Sequence, residues 1–461
     1  MKKKFLSILL TIVMTASMLA ACGNAKSSSN GEESTKETSS NTSETAVTKD
    51  ITKDFKGETL SILVSEGWMD NRYDATIARF EANYGVTVDV QTIPSDQYGD
   101  LLQSKLTSGT CPDIFWIQSN PFAIESVIVD PKEYCIDFTG AEWERIIPET
   151  RLSSCKVGDT LYGLQLWHNS PEYIMVYNKS LFEELGITKT PATYEELKAI
   201  CETIASNNIT PWFVPGADGW QHQLAFFHIG GVFEEALPGL YEGLNHNTKT
   251  FADNAKMLEV LNQFKELSEA GYFGEDWIGT DSTNMANDFA DRNIAMAMAN
   301  SSFIKQIQSE TATTDKFGLF LLPLGDNDTF PTNPAGPTMF GYKGTQHEEL
   351  VKAFFDFVTK TESLQEILDH SPSYTNLDVN DSKLQQKWLP EEKEFMESMK
   401  EEKMVTPVLQ TGTKYTNDYW MDFGADMIAF CQGSMDANDV LKNLDENRAE
   451  SAELAGDEGW K

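Results

Sequence analysis

The sequence is short of histidine, of cysteine and of positive charge, and each shortage removes a class of function. The six His are His168, His222, His228, His246, His347 and His370, scattered along the chain. His222 and His228 stand six apart, not the four that would put two imidazoles on one helical face for zinc. H-E-x-x-H, G-x-S-x-G and G-x-x-x-x-G-K-[ST] do not occur, so zinc-protease, α/β-hydrolase and P-loop chemistry have no foothold. Asp326-Asn327-Asp328 lacks the Gly and the distal Glu of an EF-hand loop and reads as a turn. No metal ligand set, no cofactor motif and no catalytic residue emerges. Cysteine is equally sparse: beyond Cys22 there are Cys111, Cys135, Cys155, Cys201 and Cys431, with no C-x-x-C. An odd number leaves at least one thiol unpaired. A single disulfide among Cys111, Cys135 and Cys155 and a set of free buried thiols both fit. Basic residues number 36 against 71 acidic ones, a net charge of −35. Such a chain carries no electrostatic footprint for nucleic acid or for an anionic membrane face. Its acidity reads as a self-repelling, soluble surface, and a monomer is expected. There is no internal repeat of solenoid period.

Long apolar runs are also missing, with one exception at the start. Lys2, Lys3 and Lys4 precede the apolar stretch Phe5–Met18, which is long enough for a signal-peptide core and short for a membrane span. It ends in Leu19-Ala20-Ala21-Cys22, which resembles the bacterial lipobox, with 1–21 as signal peptide and Cys22 as the lipidated residue. The competing reading is an ordinary secretory signal with a chance Cys. The lipobox reading places the protein on the extracellular face of the cell membrane, held by a palmitate-type lipid anchor. From Cys22 to Thr52 the chain is mostly Ser, Thr, Asn, Gly, Glu and Lys. That composition cannot bury enough apolar surface to offset its ordering entropy, so a disordered tether spanning roughly 30 Å is expected.

Residues 53–461 exceed the size at which a single core stops growing, so two domains are expected. Leu60–Val64 reads as a buried strand; a helix follows with Tyr73, Ile77, Phe80 and Tyr84 on one face and Gly85 at its end. Val86, Val88 and Val90 alternate as a strand, Tyr98, Leu101, Leu102 and Leu106 mark a helix, and Asp113–Ile117 is a third strand. This β-α-β-α-β order implies a parallel sheet with right-handed crossovers. Ligands of open α/β sheets bind beyond the carboxyl ends of the strands. Those ends carry Glu66 and Trp68, then Asp96 and Tyr98, then Trp116, Gln118, Ser119 and Asn120. Aromatic faces stack on the C–H faces of sugars, and carboxylates and amides bond the hydroxyls. For each ring taken alone, a core role competes evenly; their shared location favours a platform. Further on, Thr193-Tyr194-Glu195-Glu196 is a capping box opening a helix. A long amphipathic helix carries Leu258, Leu261, Phe264 and Leu267, and Ile294–Ala299 reads as a small-residue strand.

The order Tyr162-Gly163-Leu164, Tyr177-Asn178-Lys179-Ser180-Leu181-Phe182, Leu185-Gly186 and Pro191-Ala192-Thr193-Tyr194-Glu195-Glu196-Leu197 resembles extracellular solute-binding protein family 1. Ser108–Ile114 and Phe289–Met296 resemble two further segments of it, and the likeness covers almost all of 57–440. It implies an α/β, two-lobed periplasmic-binding-protein-like (type II) fold. Each lobe would be a mixed sheet flanked by helices, with a ligand cleft between the lobes. By this resemblance the N-lobe is 53–168 plus 338–370 and the C-lobe 169–337 plus 371–461. Trp116 matches a sugar-stacking position. Where maltose-binding members carry Asp-Arg, this chain has Ser119-Asn120, which speaks against maltose. Trp167, His168, Asn169, Asp218, Trp220, Phe303 and Trp420 complete the expected ligand contacts. The implied function is that of a non-catalytic carrier. It captures a carbohydrate, an oligosaccharide being favoured, by hinge closure and delivers it to ABC permease transmembrane subunits with a separate ATPase subunit. A secreted glycoside hydrolase using two carboxylates, and a same-fold binder of a non-sugar solute, stand as alternatives.

Overall fold

The computed structural model describes residues 54–460 apart from 129, 372, 400–402, 404 and 405. The signal peptide, Cys22 and the tether lie outside the described residues.

The first sheet is built as the periodicity predicts. β1 (Thr59–Ser65), β2 (Thr87–Ile93) and β3 (Ile114–Ser119) run parallel, joined by α1 (Asp74–Tyr84) and α2 (Ser95–Thr107). Gly85, at φ 68°, ends α1 in the left-handed region that glycine enters without a Cβ clash. β1 is an interior strand, so Leu60, Ile62, Leu63 and Val64 are all buried, on both faces of the sheet. β2 lies at the edge, and its residues are only partly covered. Two later segments complete the sheet: β4 (Gly163–Gln165) and β9 (Gly336–Gly341), giving the order β2-β1-β3-β9-β4 with β9 antiparallel to both neighbours. Helices α6 (Glu348–Val358) and α7 (Thr361–His370) cover one face, where Leu350, Val351, Phe354 and Phe355 pack with Ile62, Trp116 and Leu164.

The second sheet has the order β8-β5-β7-β6, from β5 (Ile174–Asn178), β6 (Thr210–Phe213), β7 (Ile294–Ala299) and β8 (Phe317–Phe320). β6 and β7 are parallel; β5 runs against both of its neighbours. α3 (Tyr194–Ala205) and α4 (Ala255–Glu269) pack beside it. α4 buries Met257, Val260, Leu261, Phe264 and Leu267, the three- and four-residue spacing of one helical face. The capping box at Thr193 is half formed: its hydroxyl accepts from Glu196 N, while the Glu196 carboxylate takes the Ala192 N–H instead of the Thr193 one. α5 (Phe303–Glu310) follows β7; α8 (Pro390–Ser398), α9 (Trp420–Cys431) and α10 (Ala437–Leu454) close the lobe.

Each sheet therefore has its own core, and the chain passes between them three times. The passages are 166–173, 321–335 and 371–389. The third leans on the first lobe at its start, since Tyr374, Leu377 and Leu384 pack in the first-lobe core. That start falls in the span the resemblance gave to the C-lobe. Cys111, Cys135, Cys155, Cys201 and Cys431 are all free thiols.

Candidate functional site

The cleft-facing ends of both sheets can be read from strand direction. In the first lobe these are the carboxyl ends of β1, β2, β3 and β4 and the start of β9, where Gly336 pairs with Ser119. In the second they are the carboxyl ends of β6 and β7 and the start of β5, where Ile174 pairs with Ala299. The first passage runs from the end of β4 to the start of β5 and the second from the end of β8 to the start of β9, while the third joins α7 to α8.

At the second-lobe ends lies a cavity of about 520 Å³. Tyr173, Trp220, Gln221, Met298, Asn300, Phe303 and Ser373 line it, together with Ser282, Lys305 and Gln306. The Trp220 ring stands 5.9 Å from Tyr173 and 6.3 Å from Trp420, which keeps 36% of its surface exposed. Asp218 does not face a ligand freely: its carboxylate accepts from Gln221 Nε2 at 2.7 Å and from Ser282 N at 3.1 Å, so it fixes the loop that presents Trp220. Tyr173 holds φ 45°, an unusual conformation for a bulky residue. It is braced there by its N–H to Asn300 Oδ1 at 3.3 Å. Thus Asp218, Trp220, Phe303 and Trp420 are brought into one neighbourhood, joined by Tyr173, Asn300, Gln221 and Ser373. Asn300 adjoins a segment already marked in the sequence; Tyr173 carries no signal beyond its place before a strand.

The first-lobe ends divide the other candidates. Trp68 is half-buried, meets Tyr98 edge-on at 5.2 Å, and its carbonyl accepts from Arg72 Nη2 at 2.6 Å. Glu66 and Gln118 are exposed. The Asp96 backbone lies in the first turn of α2, and its side chain lies outside what the structure describes. Tyr98 and Trp116 are placed differently from a ligand platform. The Tyr98 hydroxyl donates to the Trp116 carbonyl at 2.6 Å and accepts from Trp116 N at 3.2 Å. The Trp116 ring is 2% exposed, edge-on to Tyr73 at 5.9 Å. Both sides of the sheet are covered, so a ring pointing off an interior strand enters a core rather than the cleft. Ser119 Oγ donates to the Ser154 carbonyl at 2.6 Å, and Asn120 Oδ1 accepts from Phe122 N at 2.8 Å, a local turn.

Trp167, His168 and Asn169 lie near the start of the first passage, and the last two border a second cavity of about 470 Å³. It is walled by all three passages through His168–Ser170, Phe330–Pro334 and Asp378. Arg151 spans it, donating to Asp378 at 2.8 Å, to Gln165 Oε1 at 3.0 Å, and to the His168 carbonyl at 2.7 Å. Trp167 Nε1 donates to Glu172 at 3.2 Å. Burial holds the His168 imidazole neutral, its pKa pushed down to about 4 against the opposing pull of Glu172, 3.5 Å away. Asn169 Nδ2 donates to Asp378 at 3.2 Å. Sequence reasoning did not find Arg72, whose guanidinium is 2% exposed and lies 4.3 Å from the centre of the Tyr374 ring. It ties the Trp68 loop to the third passage.

Two lobes, three passages and facing polar and aromatic strand ends define a protein that holds a solute between lobes. The family model for bacterial extracellular solute-binding proteins matches residues 67–365, and the chain belongs to that family. A binding protein of Bacillus subtilis in an open conformation has the same fold. Its TM-score is 0.69 at 16% identity, with 88% of this chain and 100% of that one covered. A sugar transporter of Bacillus licheniformis in complex with stachyose gives a TM-score of 0.64 at 18% identity, covering 85% and 99%. The erythritol/L-threitol-binding protein of Mycolicibacterium smegmatis is 24% identical over 300 residues, 60% of this chain and 61% of that protein. The chain spans about two thirds or less of the length of the curated relatives it matches. The fold is the type II periplasmic-binding-protein fold. No helix among the described residues is long and apolar enough to cross a membrane.

Proposed function

We propose that this protein is the carbohydrate-capturing component of an ABC importer. It is anchored by a lipid on Cys22 to the outer face of the cell membrane and closes its lobes on a sugar. The observation that carries this reading is the cavity at the second-lobe strand ends, where Tyr173, Trp220 and Phe303 gather with the amides of Asn300 and Gln221. Rings supply faces for sugar C–H groups, and amides both donate to and accept from hydroxyls. From the first lobe, Trp68, Glu66, Gln118 and Asn120 stand at strand ends that close toward the same space. Ligand touching both lobes favours the closed state by its differential contacts, and closure presents a new surface to the permease. ATP hydrolysis belongs to a separate subunit. The acylated Cys22 and its tether keep the captured sugar near the permease, raising their effective concentration.

A thermal-shift panel of mono- and oligosaccharides and four-carbon polyols tests this. A true ligand at a hundredfold excess over Kd adds about 2.7 kcal/mol of stability. A panel in which no carbohydrate or polyol raises the melting temperature overturns the reading.

A further inference from the structure

Glu392, in the first turn of α8, is 0% exposed, and among the described residues its carboxylate is bonded by hydroxyls and an amide, with no cation paired to it. Oε1 accepts from Ser301 Oγ at 2.5 Å and from Thr375 Oγ1 at 3.0 Å. Oε2 accepts from Leu389 N at 2.9 Å, closing the cap of α8. A buried carboxylate without a cation is a costly way to cap a helix, and the capping bond engages only one of its oxygens.

The other oxygen heads a buried relay. Thr375 Oγ1 lies 2.8 Å from Ser170 Oγ, Asn376 Nδ2 donates to Ser170 Oγ at 2.5 Å, and Asn169 N donates to Asn376 Oδ1 at 2.9 Å. A carboxylate only accepts, so Thr375 must donate to it, Ser170 to Thr375, and Asn376 to Ser170. Glu392 therefore sets one direction for the whole relay. The relay joins the first passage (Asn169, Ser170) to the third (Thr375, Asn376). Its far branch reaches Ser301, inside the turn whose neighbours Asn300, Ser302 and Phe303 line the proposed sugar cavity. The Ser301 N–H also donates to the Pro171 carbonyl at 2.8 Å. One residue before Thr375, Tyr374 carries the Arg72 guanidinium on its ring, so the third passage is gripped by both lobes.

We infer that Glu392 is a positioning residue that locks the ligand-bearing turn after β7 to the first and third passages, so that the second lobe and its hinge move as one body. In its consequence for ligand affinity this rests on the sugar cleft proposed above; in its mechanical core it does not. Sugar seated on Phe303 and Asn300 then acts directly on the passages, the third of which is also held in the first-lobe core through Tyr374 and Leu377.

Pulsed electron paramagnetic resonance on the full chain tests this. Spin labels are carried by a ketone-bearing amino acid at Asn83 on α1 and Asn262 on α4, leaving every cysteine untouched. Glu392→Gln cannot accept at both oxygens, and Thr375→Val keeps the shape but breaks the relay. Ser363→Ala removes an equally buried hydroxyl, which donates to the Phe357 carbonyl at 2.7 Å and accepts from Arg79 Nη2 at 2.7 Å within the first lobe, and serves as the control. The expected result is a broader inter-lobe distance distribution for both relay variants in the ligand-free protein, with melting within a few degrees of the Ser363→Ala control. The double variant broadens no further than either single one. Affinity for whichever sugar the thermal panel identifies drops tenfold or more. Distributions that superimpose on the parent's, or broadening that simply adds in the double variant, overturn the inference. Because the distance measurement needs no ligand, it decides the matter even if no sugar binds.

Discussion

Trp116 and Trp220 carry the same side chain into opposite surroundings. Trp116 sits three residues before the end of β3, an interior strand covered on both faces, and its ring fills the first-lobe core. Trp220 sits seven residues beyond β6, in a loop braced by Asp218, and keeps a face toward the cavity. Their truncations should therefore separate. Trp116→Ala is expected to lower unfolding free energy by about 3–5 kcal/mol, as large-to-small core changes do, with denaturant melts as the measurement. Trp220→Ala is expected to leave the denaturation midpoint nearly unchanged and to weaken sugar affinity at least tenfold by titration calorimetry. A Trp116→Ala protein that melts like the parent but no longer binds would reverse the two roles. The β-α-β-α-β alternation in the sequence predicts that β1, β2 and β3 run parallel, as they do, so that their carboxyl ends share one edge of the sheet. It did not show which ring turns inward, since that depends on whether a residue lies within a strand or past it, and on helices distant in sequence that cover the sheet. Tyr98 illustrates the point: its helical spacing and its strand-end position were both real, and the backbone groups of β1 and β3 claim its hydroxyl.

Among elements, α9 does most to set the second-lobe half of the site. Its Gly424 lies so close to the loop 216–220 that a Cβ there would run into the Gly219 carbonyl oxygen and crowd the Trp220 backbone. The helix can approach so closely only because that position has no side chain. The loop is also tied to Trp277, whose carbonyl accepts from Gly216 N at 2.7 Å. Gly424→Ala would add helix propensity by itself. In this setting it must push α9 off the loop and displace Trp220 with it. The expected outcome is a loss of sugar affinity of about tenfold or more together with destabilisation of about 1–3 kcal/mol from overpacking. Binding unchanged alongside a raised melting temperature would mean that the helix is free to shift and the loop is held by other means. Packing of this kind left no mark in the sequence, where Gly424 is one more glycine inside a helical pattern.

Across the whole molecule, stability is tied to three histidines that the fold keeps neutral. Burial depresses His222 to about 3, and depresses His168 and His228 to about 4, with Glu172 opposing the shift at the latter two. His222 lies among Phe264, Phe273 and Trp277. In the unfolded chain each imidazole titrates near 6.5. Because each folded value lies below the unfolded one, the unfolded state takes up protons first as pH falls. The stability is complete above about pH 6.5 and is lost progressively as pH drops through that value toward 4. A single group shifted this far costs roughly 3 kcal/mol of folding free energy by pH 4. His222 is the cleanest probe, since burial alone shifts it and no charged group contributes. His222→Leu, which suits an aromatic pocket, should flatten the fall of stability between pH 6.5 and 4 while leaving sugar affinity at pH 7.5 close to the parent's. Denaturant melts at half-unit pH steps measure the slope. An unaltered slope would show that His222 titrates alike in the folded and unfolded states and that its burial does not set the pH dependence. For the proposed carrier on the outer face of a cell, which meets whatever pH its surroundings impose, this dependence sets the acidity at which both lobes still fold.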